Sequence, residues 1–122
     1  MAGPLSPFAD ADVRGVADEQ GFDAEELTGL VERHQRFVRE YEAVGGVDGL
    51  VYEWRQSLFE DPLDAQDPDT YYLAVPRRVW ADFGRRLELS EGELDALRAV
   101  HDRTFRAERG APDGEPLVLA KA

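Results

Sequence analysis

The chain of 122 residues contains no cysteine, and its only lysine is Lys121. Without a thiol it can form no disulfide, no thiolate metal site and no cysteine nucleophile. It also lacks any run of about 18 apolar residues, the length that crosses a membrane. Residues 1–5 have neither the basic start nor the apolar core of an export signal. The sequence therefore predicts a cytoplasmic protein without a membrane partner.

Basic residues are scarce as a class. The chain has 26 acidic and 14 basic residues, and its formal net charge is -12. This excess of carboxylates repels phosphate backbones and anionic lipids, so it argues against nucleic acid as a partner. All the basic residues except Lys121 are arginine, and this combination resembles the cytoplasmic proteins of salt-accumulating haloarchaea. A GC-rich genome, which favours arginine codons, is the alternative explanation.

Apolar residues repeat with the helical period in five segments, and 43% of the chain is hydrophobic, enough for one core. Four of the segments begin with a residue suited to an N-cap: Ser6, Asp23, Asp48 and Ser90. Glu93 stands three positions after Ser90, as in a capping box. The predicted helices cover about residues 6–20, 23–44, 48–60, 76–87 and 90–109.

Two short apolar segments, Tyr71–Val75 and Leu117–Leu119, favour extended structure. They could pair as a ribbon, but a frayed C-terminus is the alternative. The segment Asp61–Thr70, with two prolines and four aspartates, is predicted to be an exposed loop. The predicted fold class is mainly α, a compact bundle of four to five helices with at most one two-stranded ribbon. Residues 1–109 form a single helical domain, and residues 110–122 a C-terminal tail that is partly ordered at most.

The only two histidines, His34 and His101, lie on the apolar stripes of the second and fifth predicted helices. If these helices pack together, the two imidazoles can meet. The Glu-x-x-His pattern of carboxylate-bridged di-iron sites is absent, because Val31 and Arg98 precede the histidines by three positions. The favoured interpretation is a buried structural histidine that donates to a carbonyl or carboxylate. A small metal-binding protein or enzyme around His34 and His101 is a further hypothesis.

Other motifs that would indicate a metal-binding or catalytic site lack the residue types that they require. Four aspartates between residues 61 and 69 suggest a calcium loop, but the sixth and twelfth positions hold Gln66 and Tyr72 in place of glycine and glutamate. No Walker loop and no Gly-x-Ser-x-Gly elbow occurs. The sequence therefore predicts no catalytic residue, no metal ligand and no cofactor.

Charge is distributed unevenly along the chain. Residues 1–73 hold 17 acidic residues against 5 arginines, whereas residues 74–109 hold 7 against 8. Residues 75–109 also have the outline of a helix-turn-helix, so a DNA-binding regulator is one hypothesis. The first turn of its second helix is acidic, with Glu91, Glu93 and Asp95, which suits a phosphate-lined groove badly. Pairing of these arginines with acidic residues of the same chain or of a partner is the alternative explanation.

The region around the fourth predicted helix combines aromatic and cationic residues. Tyr71 and Tyr72 are adjacent on an extended segment, so their side chains point to opposite faces and at least one is expected to be exposed. An exposed aromatic beside guanidinium groups is typical of a protein-binding hot spot. The predicted partner-binding residues are Tyr71, Arg77, Arg78, Arg85 and Arg86. The leading hypothesis is a non-enzymatic interaction or regulatory module that binds another protein or itself.

The segment Tyr72-Leu73-Ala74-Val75-Pro76 leads through Val79-Trp80 to Leu94, Leu97 and Val100-His101. This pattern resembles a family of small, acidic, uncharacterised haloarchaeal proteins over about residues 20–109. The resemblance implies a halophilic source and carries no catalytic motif to this chain.

Overall fold

The computed structural model describes residues 7–40, 46–58 and 60–121. Helices and a small sheet alternate along this part of the chain, so the predicted mainly α fold class is confirmed. The elements are α1 (Asp10–Gln20), α2 (Ala24–Arg39), α3 (Gly46–Ser57), β1 (Leu63–Gln66), β2 (Thr70–Val75), α4 (Arg77–Arg86), α5 (Glu91–Arg109) and β3 (Glu115–Ala120).

Two helices begin where local chemistry predicts. At the start of α5, the Ser90 Oγ accepts from the Glu93 amide at 3.1 Å, and the Ser90 amide donates to the Glu93 carboxylate at 2.9 Å. The predicted capping box is therefore confirmed. At the start of α2, the Asp23 carboxylate accepts from the Glu25 amide at 3.4 Å. Both caps satisfy amides that have no partner within the helix.

Two other helix starts differ from the prediction. Helix α1 begins at Asp10, with Ala9 at the N-cap and no side-chain cap; the predicted cap Ser6 lies outside the described residues. Helix α3 begins at Gly46, so Asp48 lies within its first turn instead of at the cap. The Asp48 carboxylate accepts a hydrogen bond from the Tyr71 hydroxyl, a tertiary contact that competes with a capping role.

The sheet is antiparallel with the order β1-β2-β3. Of the two alternatives for the apolar segments, the structure has the pairing, with Tyr71 opposite Leu119 and Leu73 opposite Leu117. The sheet has three strands, one more than the predicted ribbon, because β1 pairs with the other edge of β2. The segment 115–120, for which a frayed end was the alternative, is a buried strand along the full length of β2. The core therefore continues across the predicted domain boundary at residue 109.

The predicted exposed loop over Asp61–Thr70 is wrong for residues 63–66, which form β1. Leu63 and Ala65 are half-buried and alternate with exposed Asp64 and Gln66, the period of a strand with one covered face. The flanking prolines and aspartates hide this short alternation in the sequence. The register shifts between Leu63 and Ala65, a bulge that is common in edge strands.

Helix α5 lies at the centre of the core and contacts α1, α2, α4 and β3. Gly84 allows α4 to approach it closely, because a Cβ atom at this position would lie 2.9 Å from the Leu94 Cδ2 atom. Val31, Leu73 and Leu97 are fully buried in this core. No helix within the described residues is both long and apolar enough to span a bilayer.

Candidate interaction surface and buried histidine pair

The expectation that Tyr71 or Tyr72 is exposed is wrong. Their side chains are 9% and 8% exposed, because β2 is the central strand and both of its faces are covered. Tyr72 packs against Phe105, with ring centroids 6.3 Å apart. The Tyr71 hydroxyl donates to Asp48, and the Lys121 ammonium lies 4.5 Å from the Tyr71 ring centroid. Burial and the Asp48 carboxylate raise the pKa of Tyr71 to about 12. Tyr71 thus joins the sheet to α3.

The four arginines of the predicted site are exposed along α4. Arg85 and Arg86 both form ion pairs with Asp82, the latter at 2.8 Å. Arg77 and Arg78 form no ion pair or hydrogen bond with any described residue. The first turn of α4 contains no acidic residue, so the two cations stand unpaired at the positive end of the helix dipole.

This arrangement is unusual within the chain, because most of its arginines are paired. All four arginines of α5 form ion pairs with carboxylates: Arg98 with Glu115, Arg103 with Glu19, Arg106 with Asp102 and Arg109 with Asp64. Arg14 of α1, Arg36 of α2 and Arg55 of α3 also pair with carboxylates, while Arg33 donates to the Leu87 carbonyl and Arg39 forms no ion pair with a described residue. The intramolecular explanation therefore applies to α5 and leaves the first turn of α4 unexplained.

An apolar groove of about 470 Å³ lies between α3 and α4. We call it the α3–α4 groove. Its apolar lining consists of Leu50, Trp54, Leu58, Val79, Ala81 and Phe83. Trp54 is half-buried, with its ring centroid 6.3 Å from that of Phe83. Arg78, Asp82 and Arg85 stand at the edge of the groove. The groove therefore places two of the predicted arginines beside an exposed part of an aromatic side chain.

A second cleft, of about 390 Å³, lies between the start of β1 and the end of β2. Arg78 lines this cleft as well, so its side chain stands between the two depressions. The acidic residues around the cleft are Glu60, Asp61, Asp64 and Asp113. A hydrogen bond from the Leu63 amide and the nearby Arg55 lower the pKa of Asp61. The second cleft is therefore mainly anionic, in contrast to the edge of the α3–α4 groove.

Three of the four aspartates in residues 61–69 have carboxylates that are engaged in the fold. Asp61 pairs with Arg55 at 3.0 Å, and Asp64 pairs with Arg109 at 2.9 Å. Asp67 accepts from the Asp69 amide at 2.8 Å. Within the ranges that the structure describes, no three histidine or carboxylate side chains are grouped as metal ligands. The geometry thus gives no support to a calcium loop.

The predicted meeting of the two histidines occurs. His34 and His101 are fully buried, and their ring centroids are 5.1 Å apart. The His34 ring stacks on Trp80 at 5.1 Å, and Phe83 contacts it edge-on at 4.5 Å. Phe8 contacts the His101 ring at 4.9 Å. The pair is therefore enclosed by aromatic rings.

Burial and hydrogen bonding together determine the protonation of the two histidines. The His101 Nδ1 atom accepts from the Val118 amide at 3.0 Å, and the Gln35 Nε2 atom lies 3.5 Å from the His34 Nδ1 atom. The Val118 amide donates to the His101 Nδ1 atom, so the neutral His101 ring carries its proton on Nε2. The Nε2 atoms of both rings are buried and have no hydrogen-bond partner among the described residues, so the predicted donation to a carbonyl or carboxylate is wrong. Burial lowers the pKa of His34 to about 3, and burial together with His34 lowers the pKa of His101 well below its ordinary value. Both rings are therefore neutral at physiological pH.

Gln35 is a key residue that sequence reasoning missed. Its amide donates to the Val118 carbonyl and accepts from the Ala120 amide, both at 2.9 Å. Trp80 donates its indole N–H to the Pro116 carbonyl at 3.1 Å. Gln35, Trp80 and His101 thus satisfy the backbone groups of β3 that face away from β2, and we call them the β3 clamp. The spacing of Gln35 from Val31 and Val38, four and three positions, is the available sequence signal.

The family assignment rests on nearly the whole chain. The family described as "Domain of unknown function (DUF8048)" matches residues 6–120. The chain belongs to this family. The matched range includes β3, in agreement with the place of that strand in the core of the DUF8048 domain. Searches of curated proteins and of solved structures found no match.

The geometry of the DUF8048 domain also bears on the hypotheses of a histidine-centred metal protein or enzyme and of a DNA-binding regulator. The His101 Nδ1 lone pair accepts from the Val118 amide, and both rings are fully buried, so neither ring presents a solvent-exposed lone pair to a metal or a substrate. The arginines of α5 are occupied by carboxylates, and the first turn of α5 holds Glu91 and Glu93. The observations therefore favour neither a histidine-centred enzyme nor a DNA-reading helix pair.

Proposed function

We propose that this DUF8048 domain is a non-enzymatic interaction module in the cytoplasm of a halophile. It binds another protein through the exposed face of α4 and the adjacent α3–α4 groove. The single observation that carries this proposal is the unpaired state of Arg77 and Arg78. Both side chains are exposed and lack an ionic partner among the described residues of a strongly acidic chain.

The position of these arginines has an energetic cost for the isolated domain. A cation in the first turn of a helix is disfavoured by roughly 0.3–1 kcal/mol when it is exposed. A carboxylate supplied by a partner would offset this cost. Arginine and tryptophan are also the residue types that contribute most to protein-binding energy, and Trp54 lines the neighbouring groove. The buried Tyr71 is not part of this surface.

The proposal predicts that Arg77→Glu and Arg78→Glu weaken binding without loss of fold. Reversing an anchor charge commonly costs about 2 kcal/mol or more of binding, roughly a 30-fold loss of affinity. We expect neither variant to melt more than about 2 °C below the wild type, because neither side chain forms an ion pair or hydrogen bond with a described residue and an anion suits the first turn of a helix. The measurement is recovery of proteins from cells at native salt by immobilised wild type and variants, with mass spectrometry and thermal melts.

Arg106→Glu serves as the control for charge reversal, because it makes the same charge change on the exposed side of α5, although it also removes the ion pair with Asp102. Leu97→Ala serves as the folding control, since emptying this fully buried position typically costs about 2–5 kcal/mol. A protein captured by wild type and Arg106→Glu but lost from both α4 variants would support the proposal. Equal recovery by all of them would refute it.

The halophilic assignment predicts that the domain loses stability as salt is removed. The net charge of -12 is distributed over one small domain, and the repulsion between its carboxylates is screened only at high salt. Exposed ion pairs gain strength at low salt, but each contributes only about 0.2–1 kcal/mol, so the net repulsion should dominate. The check is the melting temperature in molar and in millimolar KCl. A melting temperature that stays constant or rises at low salt would contradict the assignment.

A further inference from the structure

We infer that the partner contributes a short segment with one large apolar side chain next to a carboxylate. The apolar side chain occupies the α3–α4 groove, and the carboxylate binds Arg78. This inference rests on the proposed function and adds the chemistry of the partner.

The first argument is the apolar lining of the groove. Trp54 and Phe83 both line the groove, and their rings are inclined at 69° to each other. Leu50, Leu58 and Val79 complete its apolar lining. Such a depression gains most from an aromatic or leucine side chain, which removes a large apolar area from water. A purely polar segment would leave this surface without a complement.

The second argument is the charge at the edge of the groove. Asp82 is already neutralised, because both Arg85 and Arg86 bind it. Arg78 has no ionic partner within the described residues and stands beside the same groove. Its planar guanidinium matches a carboxylate with two parallel hydrogen bonds. The complementary charge is therefore a single carboxylate adjacent to the apolar side chain.

The third argument concerns the number of anionic groups that the partner segment can carry. Beyond Arg78 lies the second cleft, where Glu60 and Asp113 contribute exposed carboxylates. A second anion in the partner would meet these groups and be repelled. A nucleic acid, whose phosphates repeat along the strand, cannot avoid this repulsion. A peptide segment with one acidic residue can.

The test is a selection of displayed random peptides on the wild-type domain in molar KCl, with counter-selection on Arg78→Glu. We expect the enriched peptides to share an aromatic residue or leucine beside one aspartate or glutamate. Synthetic peptides with this pattern should bind Arg78→Glu about 30-fold more weakly than the wild type. Replacing the acidic residue of the peptide by its amide should cause a similar loss on the wild type.

Ser57→Trp is the second variant, because Ser57 lines the groove and its hydroxyl donates to the Glu53 carbonyl of its own helix. A bulky ring at this exposed position fills the groove without removing a core side chain, so binding should be lost while the thermal melt is retained. Arg106→Glu should bind the peptides as the wild type does. Enriched peptides without an acidic residue, or equal binding to Arg78→Glu, would overturn the inference.

The outcomes separate this inference from the proposed function. If cellular partners depend on Arg77 and Arg78 but the selected peptides lack the apolar-acidic pattern, the module stands and the partner chemistry is wrong. If neither peptides nor cellular proteins depend on these arginines, both proposals fail. Sedimentation of the wild type and of Ser57→Trp tests whether a second copy of the domain occupies the groove. Self-association that is lost in Ser57→Trp would assign the groove to a second copy and overturn the inference.

Discussion

Acidification from pH 6 to about pH 5 should lower the free energy of unfolding by about 2.5 kcal/mol through His34 and His101 alone. Both rings are fully buried and neutral in the folded domain. In the unfolded chain both return to the ordinary pKa of 6.5, so both are mostly protonated at pH 6 and almost fully protonated at pH 5. The unfolded state therefore binds about two more protons than the folded state.

The sign follows from the direction of the shifts. The folded-state pKa of each histidine lies below its unfolded value, so the contribution to stability is complete above pH 6.5 and decreases as the pH falls. For His34 this decrease continues to about pH 3, the folded-state pKa. Protonation of His101 would also place an N–H against the Val118 amide, which now donates to this ring. Acid should thus loosen β3 from the helices.

The measurement is denaturant unfolding at several pH values in molar KCl, where carboxylate repulsion is screened. His101→Asn is the informative variant, because the asparagine oxygen can accept from the Val118 amide while one titrating group is removed. Its loss of stability between pH 6 and 5 should be about half that of the wild type. Equal losses in the two proteins would show that His101 does not remain neutral in the folded state.

Gln35→Leu should destabilise the domain by about 2–6 kcal/mol. Leucine retains much of the volume of glutamine, but it can neither donate to the Val118 carbonyl nor accept from the Ala120 amide. Each buried backbone group that is left without a partner costs about 1–3 kcal/mol, and this change leaves two. The effect should exceed that of a typical core truncation by one methylene group.

Denaturant unfolding of Gln35→Leu beside Gln56→Leu checks this expectation. Gln56 is exposed on α3, so its replacement should change stability by no more than about 0.5 kcal/mol. Hydrogen exchange adds a local readout, because the Ala120 amide should exchange faster in Gln35→Leu than in the control. If the two variants are equally stable and protect this amide equally, the β3 clamp does not hold the strand.

For the candidate surface, sequence reasoning succeeded where a feature depends on neighbouring residues of one helix and failed where it depends on long-range contacts. The exposure of Arg77, Arg78, Arg85 and Arg86 agrees with the sequence expectation, because they occupy the polar side of an amphipathic helix. The pairing of Arg85 and Arg86 with Asp82 also follows from spacings of three and four residues. The burial of Tyr71 could not be predicted from the sequence. Strand alternation assigns side chains to two faces of the sheet, but it does not show whether other elements cover both faces.

The sequence by itself determined the helices α2 and α5, the capping box at Ser90 and the acidic surface. These features depend on residues within one turn of helix or on total charge, so no long-range contact is needed to produce them. Only the tertiary structure decided that 63–66 pairs as an edge strand, that the α3–α4 groove forms beside Arg78, and that the two histidines meet. It also decided that Gln35 binds the backbone of a strand 83 and 85 positions away. The physical reason is that the free backbone groups at the edge of a strand need hydrogen-bond partners. Which side chains supply them depends on how the helices pack against that edge, and this packing depends on all the core residues together.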